Sequence, residues 1–174
     1  MKTKHLIPKI LIIFLLLCTT ASASREENTQ CKVMQVKDGD TLVVSPVDGG
    51  QFFICRLYGV DTPEITHGRK PGQSYGEEAA KELKRLTLGQ TVEVTTTGAK
   101  TYNREVCIIK KVGQDINLEM VKKGYAWAYR QYLKRPYASE YIDAETLARE
   151  KRLGLWKDSN PTPPWEFRKR QRGR

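Results

Sequence analysis

The sequence predicts an α+β fold in which a small five-stranded β-barrel is decorated by three helices. Short runs rich in β-branched residues, separated by Gly and Asp turn signals, indicate strands that are too short for a β-sandwich. Their order of three strands, a helix, two strands and two helices is typical of a Greek-key barrel of the OB type. Because 39% of the 174 residues are hydrophobic, the chain suits a folded domain rather than a disordered one.

Five segments have the composition of strands. Asp38-Gly39 and Asp48-Gly49-Gly50 are the strongest turn signals, because Gly and Asp tolerate the left-handed backbone of tight turns. The first three strands are therefore expected to form an antiparallel meander. The five predicted strands are Lys32 to Val36, Thr41 to Ser45, Gln51 to Tyr58, Thr91 to Thr96 and Val106 to Val112.

Three segments have helical periodicity and recognisable ends. The first helix is predicted from Ser74, where Ser74 and Glu77 make a capping box, to a stop at Gly89. The second is predicted from near Asp115 to Gly124. The third runs from about Ser139 to Arg152, and its expected inward positions are Tyr141, Ala144, Leu147 and Ala148.

The N-terminal segment, residues 1–23, is typical of a signal peptide. Lys2, Lys4 and Lys9 precede a short apolar run, and Ala21-Ser22-Ala23 has the small-x-small pattern of a cleavage site. The run is shorter than the roughly 20 residues that span a bilayer, which disfavours a retained membrane helix. Export to the periplasm or to the outside medium is expected.

A single domain is expected after the signal peptide. Residues 24–30 form a polar leader, residues 31–158 have the length of one domain with its own core, and residues 159–174 are proline-rich and then basic. We expect this last segment to be a disordered tail. The formal net charge of +10 is concentrated at the two ends, so net charge is a weak argument for nucleic-acid binding. The tail is either a solvated basic end or a segment that holds polyanions.

The cysteines of the domain, Cys31, Cys55 and Cys107, give no metal-binding pattern. Their separations are long, with no C-x-x-C pair and no Cys/His cluster, so a structural zinc site is not indicated. Cys55 and Cys107 lie in apolar runs. Buried free thiols are expected, with a Cys55 to Cys107 disulfide as the alternative in an oxidising compartment.

Carboxylates are concentrated at the ends of two neighbouring predicted strands. Asp40 belongs to the turn Asp38 to Thr41, and Asp61 follows the third strand. Calcium takes carboxylate and carbonyl oxygens and tolerates a shell completed by water and substrate phosphate. Because Pro63 favours an extended Thr62, the Thr62 carbonyl can join the two carboxylates. The pattern indicates a hard-cation site.

The same region carries residues that suit phosphodiester hydrolysis. That reaction needs a positioned water and neutralisation of charge on the phosphate in the transition state. Glu64 suits the first task. Arg56 and Arg104 suit the second, since a planar guanidinium contacts two phosphate oxygens at once.

At these residues the sequence closely resembles the staphylococcal, or micrococcal, nuclease family. The resemblance extends from about Lys32 to Trp156 and so covers the domain predicted at 31–158. The family's D-G-D-T is present as Asp38 to Thr41, its R-x-x-x-V-D-T-P-E as Arg56 to Glu64, and its Y-G-R as Tyr102-Asn103-Arg104. Each motif alone is short, but their order and separation together are specific.

The resemblance implies a Ca²⁺-dependent endonuclease that cuts DNA and RNA without strong sequence preference and leaves 3′-phosphate ends. It places Tyr102 and Tyr129 near the bound nucleotide. A monomer is expected, because no long exposed apolar face is evident. The implied site residues are Asp40, Asp61 and the Thr62 carbonyl as calcium ligands, Glu64 as the water-positioning residue or general base, and Arg56 and Arg104 as phosphate clamps.

Two positions depart from the family pattern. Asn103 replaces the usual glycine, and Asn is the next most tolerant residue of a positive φ, so Arg104 should still be aimed correctly. Thr101 stands where the family often has a basic residue, which should raise the apparent KM without touching the metal or the water.

Other interpretations of the same residues remain open. D-G-D-T is by itself a common turn, and Arg56 in an apolar strand could form a core ion pair with Asp61 or Glu64. The main rival function is a non-catalytic nucleic-acid-binding OB module, although such modules lose the acidic and arginine residues that are present here. A basic surface protein attached to envelope polyanions by its tail is a third possibility.

Overall fold

The computed structural model describes residues 28–173. The expected signal peptide and most of the polar leader lie outside the described residues. No helix within 28–173 is both long enough and apolar enough to cross a membrane.

The described residues form eight strands, three of which contain only two residues. Turns at Asp38-Gly39 and at 47–52 separate the first three, as the turn signals predict. The strands are β1 (Asn28–Val36), β2 (Thr41–Pro46), β3 (Phe53–Leu57), β4 (Val60–Asp61), β5 (Thr91–Thr101), β6 (Arg104–Lys111), β7 (Gln114–Asp115) and β8 (Trp127–Ala128).

Five of these strands close into a ring. Antiparallel pairings join β3 to β2, β2 to β1, β1 to β5 and β5 to β6, and a parallel pairing of β3 with β6 closes the barrel. In the resulting register Arg56 lies between Thr41 of β2 and Val106 of β6. Closure leaves β3 without a free edge. The predicted α+β class and five-stranded barrel are confirmed.

Four α-helices and one short 3₁₀ helix pack around the barrel in the described residues. Helix α2 agrees with its prediction: the Asp115 side chain caps its start by accepting a hydrogen bond from the Leu118 amide at 3.0 Å. The helices are α1 (Gly76–Thr87), α2 (Ile116–Lys122), α3 (Tyr137–Glu150), α4 (Pro164–Arg172) and the 3₁₀ helix Gly154–Lys157.

The start of α1 differs from the predicted capping box. The helix begins at Gly76, and Tyr75 precedes it with a φ of 67° and no side-chain cap. Glu77 instead accepts a hydrogen bond from the Thr66 amide at 3.2 Å. The reason is a close backbone approach: a Cβ at Gly76 would lie 2.2 Å from the carbonyl oxygen of Glu64. This tight contact, rather than a local cap, sets where the helix starts.

Helix α3 also differs at one predicted position. Tyr141, Ala144 and Ala148 are buried as expected, but Leu147 is 53% exposed. Buried Glu145 completes the inward stripe at spacings of three and four residues, which leaves Leu147 outside it. The carboxylate of Glu145 is compensated by arginines on both sides, at Arg130 and Arg149.

The three cysteines within residues 28–173, Cys31, Cys55 and Cys107, are buried free thiols. Cys55 on β3 and Cys107 on β6 lie across the strand pairing that closes the barrel, and their thiols share a hydrogen bond, with the sulfurs 3.0 Å apart. This hydrogen bond and burial raise the pKa of Cys55. Burial likewise raises the pKa of Cys31 to about 11.

The C-terminal segment was expected to be disordered, and there the structure overturns the prediction. Residues Pro164–Arg172 form α4, and Pro164 occupies the first turn, where its missing amide costs no helical hydrogen bond. Trp165 packs on an aromatic cluster that contains Trp127 and Trp156. Packing of this one large, half-buried side chain anchors the basic segment to the domain, which the charge of the segment does not indicate.

Candidate active site

A cleft of about 1220 Å³ opens at one end of the barrel. Its walls come from the turn before β2, the segment after β3, the turn between β5 and β6, the loop after β8, and α4. Among the residues lining it are Asp40, Arg56, Glu64, Tyr102, Arg104 and Tyr129. The fold therefore brings motifs from distant parts of the chain to a single concave surface.

One arginine joins two buried carboxylates at the floor of this cleft. Arg56 Nη1 lies 2.6 Å from Asp40 Oδ1, and Nη2 lies 2.7 Å from Asp61 Oδ1. The residues Asp40 and Asp61 are 3% and 0% exposed. Two buried negative charges without a cation between them would be costly. The core ion pair considered for Arg56 is thus present, and it involves both predicted metal carboxylates.

The turn before β2 fixes the orientation of Asp40. The Thr41 hydroxyl donates to Asp40 Oδ1 at 3.0 Å, and the Thr62 amide donates to Oδ2 at 3.3 Å. Gly39 allows this approach, because a Cβ there would lie 2.6 Å from the Thr62 hydroxyl oxygen. Burial and, secondarily, the Asp40 carboxylate raise the pKa of neighbouring Asp38 to about 7.

The backbone of Glu64 is held by Gln73, just before α1, and by the first residue of that helix. Its amide donates to Gln73 Oε1 at 3.0 Å, and its carbonyl accepts from the Gln73 amide at 2.8 Å. The close contact with Gly76 adds a steric limit on the same carbonyl. Its side chain, which is 32% exposed, reaches into the cleft. The backbone contacts therefore define the position of Glu64, and its partly exposed carboxylate lies at the surface of the cleft.

Arg104 and Tyr102 come from the turn between β5 and β6. Arg104 Nη1 donates to the Thr41 hydroxyl at 3.2 Å, a neutral partner that leaves its charge available. Tyr102 is 90% exposed. The left-handed residue of this turn is Tyr102, with a φ of 54°, rather than Asn103. The expectation that Asn103 takes over a positive φ from glycine is therefore wrong.

Tyr129 approaches the site because its amide donates to the Gly59 carbonyl at 2.8 Å, next to β4. Its ring stacks on Trp165 of α4, with centroids 5.2 Å apart and an interplanar angle of 2°. Tyr132 meets it edge-on at 4.8 Å. Burial, with a smaller contribution from Asp61, raises the pKa of Tyr129.

Arg168 of α4 enters the site as well, and the sequence patterns did not single it out. Its Nη1 lies 2.6 Å from Glu64 Oε1 and 3.1 Å from Asp61 Oδ1, and its Nη2 lies 2.8 Å from Asp61 Oδ2. Burial raises the pKa of Asp61, and the ion pairs with Arg168 and Arg56 oppose that shift. Trp165, an apolar anchor three residues earlier, was the only available signal for this placement.

Comparison with known families decides what kind of site this is. The family described as staphylococcal nuclease homologue matches residues 54–158. The chain belongs to this family. By that membership it is a nuclease, a hydrolase that acts on phosphodiester bonds.

Named relatives agree with the family match. An uncharacterized endonuclease of Haemophilus influenzae is 36% identical over 169 residues, which cover 97% of this chain and 87% of that protein. A micrococcal nuclease of Shigella flexneri is 35% identical over 147 residues, 79% of each chain. A staphylococcal-like nuclease of Arabidopsis thaliana is 41% identical over 121 residues, 70% of this chain but 35% of the longer plant protein.

The oxygen donors of the nuclease suit a hard cation. Within residues 28–173, no group of three or more His, Cys, Asp and Glu side chains lies close enough together to hold a metal ion. The set expected from the sequence contains only two such side chains, Asp40 and Asp61, with a backbone carbonyl from Thr62. Both carboxylates are buried, and they share one guanidinium. Donors of this type fit calcium better than a softer metal.

Proposed function

We propose that this nuclease is an exported, Ca²⁺-dependent endonuclease that hydrolyses DNA and RNA and leaves 3′-phosphate ends. The observation that carries the proposal is the floor of the cleft, where Arg56 bridges Asp40 and Asp61. Glu64 and Arg104 line the same cleft. This combination supplies oxygen ligands, a carboxylate for water and a cation for phosphate on one surface.

Asp40, Asp61 and the Thr62 carbonyl would hold the calcium ion. When bound, the ion neutralises charge on the scissile phosphate and makes a coordinated water more acidic. The hydrogen bonds from Thr41 and from the Thr62 amide orient the Asp40 carboxylate before any ligand arrives. Preorganisation of this kind reduces the cost of assembling the site.

Glu64 is the residue that positions or deprotonates the attacking water. Its carboxylate can accept a hydrogen bond from water. The two hydrogen bonds between the Glu64 backbone and Gln73 fix the position of the residue in the cleft. Its side chain is 32% exposed, so water can reach the carboxylate from the cleft, as a general base requires. The Gln73 contacts support this role because they involve the backbone of Glu64 and do not use its side-chain oxygens.

The two arginines have different tasks. Both terminal nitrogens of Arg56 are engaged by carboxylates, so it mainly holds Asp40 and Asp61 in place and adds positive charge beneath the phosphate. Among the described residues Arg104 donates only to the neutral Thr41 hydroxyl, and it can turn towards phosphate oxygens. We therefore assign the principal phosphate contact to Arg104.

The shape of the cleft suits a polymer substrate without base-specific recognition. Its volume of about 1220 Å³ exceeds what one nucleotide fills, and Tyr102 stands exposed on its rim. Tyr129 offers a ring for stacking, which tolerates any base because every base has a π face. DNA and RNA are both expected substrates, and the protein is expected to act as a monomer.

The decisive assay follows hydrolysis of heat-denatured DNA and of single-stranded RNA by the protein lacking residues 1–23. Calcium should support cutting of both polymers, and a chelator should abolish it. Glu64→Gln should lower kcat by about 10² or more, because a positioned general base contributes that much. Glu150→Gln, an exposed carboxylate on α3, is the matched control and should cut like the wild type.

Each part of the proposal has its own contrary outcome. Cutting that survives chelation would remove calcium from the mechanism, and 5′-phosphate products on end-group analysis would exclude the stated polarity. Retained DNA binding with no cutting under any divalent cation would make this chain a binding module. Export is tested by N-terminal sequencing of protein from the periplasm or medium, which should begin at Ser24.

A further inference from the structure

We propose that α4 is an autoinhibitory element whose Arg168 competes with the calcium ion for Asp61. The inference rests on the proposed calcium dependence and adds a mode of regulation to the same site. It comes from a contact that neither the family motifs nor the matched residues 54–158 contain, since α4 lies beyond both.

The contact leaves Asp61 with little capacity for a metal. Its Oδ1 accepts from Arg56 and from Arg168, and its Oδ2 accepts from Arg168 Nη2 at 2.8 Å. Both oxygens of the 0% exposed carboxylate therefore have cationic donors. A calcium ion needs one of these oxygens at about 2.4 Å, so the guanidinium of Arg168 has to leave before Asp61 can become a ligand.

The same arginine restrains the catalytic carboxylate. Arg168 Nη1 donates to Glu64 Oε1 at 2.6 Å, so one of the two oxygens of the carboxylate assigned to the attacking water is already occupied. Arg56 differs in this respect: its bonds to Asp40 and Asp61 leave Asp61 Oδ2 and Glu64 untouched. Arg168, rather than Arg56, therefore blocks the positions that calcium and water require.

A second residue of α4 covers a substrate surface. Trp165 lies flat against Tyr129, the ring assigned to stacking with a nucleotide, with centroids 5.2 Å apart. A base cannot stack on that face of Tyr129 while Trp165 does. One short helix thus occupies a metal-ligand position and a base-stacking position at the same time.

The remaining contacts of α4 in the described residues are the packing of Trp165 on Trp127 and a few hydrogen bonds. Gln171 Nε2 donates to the Pro71 carbonyl at 3.1 Å, and just before the helix Gln73 Nε2 donates to the Thr162 carbonyl at 2.9 Å. Lys169 and Arg170 are exposed. Side-chain contacts of this number, without a strand pairing, are typical of elements that open locally well below the cost of global unfolding.

Calcium titration of wild type, Arg168→Gln and Arg170→Gln by isothermal calorimetry tests the inference, with no nucleic acid present. If α4 keeps the site closed about nine-tenths of the time, Arg168→Gln should bind calcium about tenfold more tightly than wild type. Arg170→Gln carries the same charge change on the exposed side of α4 and should stay within about twofold. The calcium-induced rise in Tm should increase for Arg168→Gln alone.

The possible results separate the inference from the function beneath it. Equal calcium affinity of wild type and Arg168→Gln, or weaker binding by the variant, would overturn the autoinhibitory contact while leaving a calcium-dependent nuclease intact. Cutting of DNA without calcium binding by any variant would overturn both calcium dependence and the inference. Tighter calcium binding by Arg168→Gln without hydrolysis would support the contact and reject the nuclease. Circular dichroism of each variant confirms that the comparison is between folded proteins.

Discussion

Two arginines reach the Asp61 carboxylate from different regions of the molecule, and they are held there in different ways. Arg56 belongs to β3, which is paired on both sides within the barrel, and its side chain is 16% exposed. Arg168 belongs to a terminal helix anchored by a few side chains and is 32% exposed. Arg56 is therefore part of the folded barrel. Arg168 can be replaced by another cation without disturbing the barrel.

The largest effect is expected from Arg56→Met, which keeps the volume of the side chain but removes its charge. Asp40 and Asp61 would lose the guanidinium that they share, and breaking a buried ion pair on one side costs about 3–5 kcal/mol. Urea denaturation in the presence of a chelator measures the loss. Arg85→Met is the matched control, because Arg85 is 61% exposed in its pair with Glu82 and its loss should leave stability close to that of the wild type.

If Arg56→Met were as stable as Arg85→Met, the two carboxylates would have enough compensation from elsewhere, and the distinction between the barrel arginine and the helix arginine would fail. A smaller loss, of about 1 kcal/mol, would show that water reaches Asp40 when Arg56 is absent.

The next largest effect is expected at the turn that presents Asp40. In Gly39→Ala the new Cβ would lie 2.6 Å from Thr62 Oγ1 and 2.9 Å from the Ala79 side chain. The turn must move, at a cost of about 1–3 kcal/mol, and Asp40 moves with it. Urea denaturation and calcium affinity should both weaken. In Gly173→Ala the new Cβ would lie 3.8 Å from the Lys169 carbonyl oxygen, an ordinary contact, and the variant should change neither quantity. Equal effects of the two variants would contradict the tight turn.

The barrel was predictable because its signals are local. Strand runs bounded by Gly and Asp turns gave the five strands, and Asp115 capped α2 as its position suggests. The site residues could be named from ordered motifs, since Arg56 to Glu64 lie on one stretch of chain. Their mutual contacts could not, because the ion pair of Arg56 with Asp40 depends on the register of β2 against β3, which places Arg56 opposite Thr41.

Predictions failed where tertiary packing outweighed a local signal. The capping box predicted at Ser74 does not form. The helix starts instead where Gly76 approaches the Glu64 backbone, a contact that no local pattern encodes. The tail was interpreted from its charge, yet Trp165 and Arg168 each have a specific partner in the domain. Basic composition describes what a segment can do in solvent, whereas one well-placed aromatic side chain decides whether it docks.

A moderate effect is expected from Trp165→Ala, which tests how firmly α4 is anchored. Trp165 is only half-buried, so its loss should cost about 1–1.5 kcal/mol, chiefly the ring contacts with Tyr129 and Trp127. Trp156→Ala, in the same aromatic cluster but 5% exposed, should cost about 3–5 kcal/mol. Urea denaturation ranks the two. Amide exchange in α4 should accelerate in Trp165→Ala while exchange in the barrel stays unchanged, and acceleration throughout the barrel would mean that α4 belongs to the core.

The smallest effect is expected from Arg170→Gln, on the exposed side of α4. Its pair with Glu166 spans 3.5 Å between side chains that are 67% and 50% exposed, and surface pairs one helical turn apart contribute no more than about 0.5 kcal/mol. The free energy of unfolding measured by urea denaturation should therefore change by an amount close to the experimental error. A loss above about 1 kcal/mol would mean that the outer face of α4 contributes to docking. In that case Arg170 and Arg168 would act together, and the division of α4 into one inhibitory contact and one solvated face would have to be abandoned.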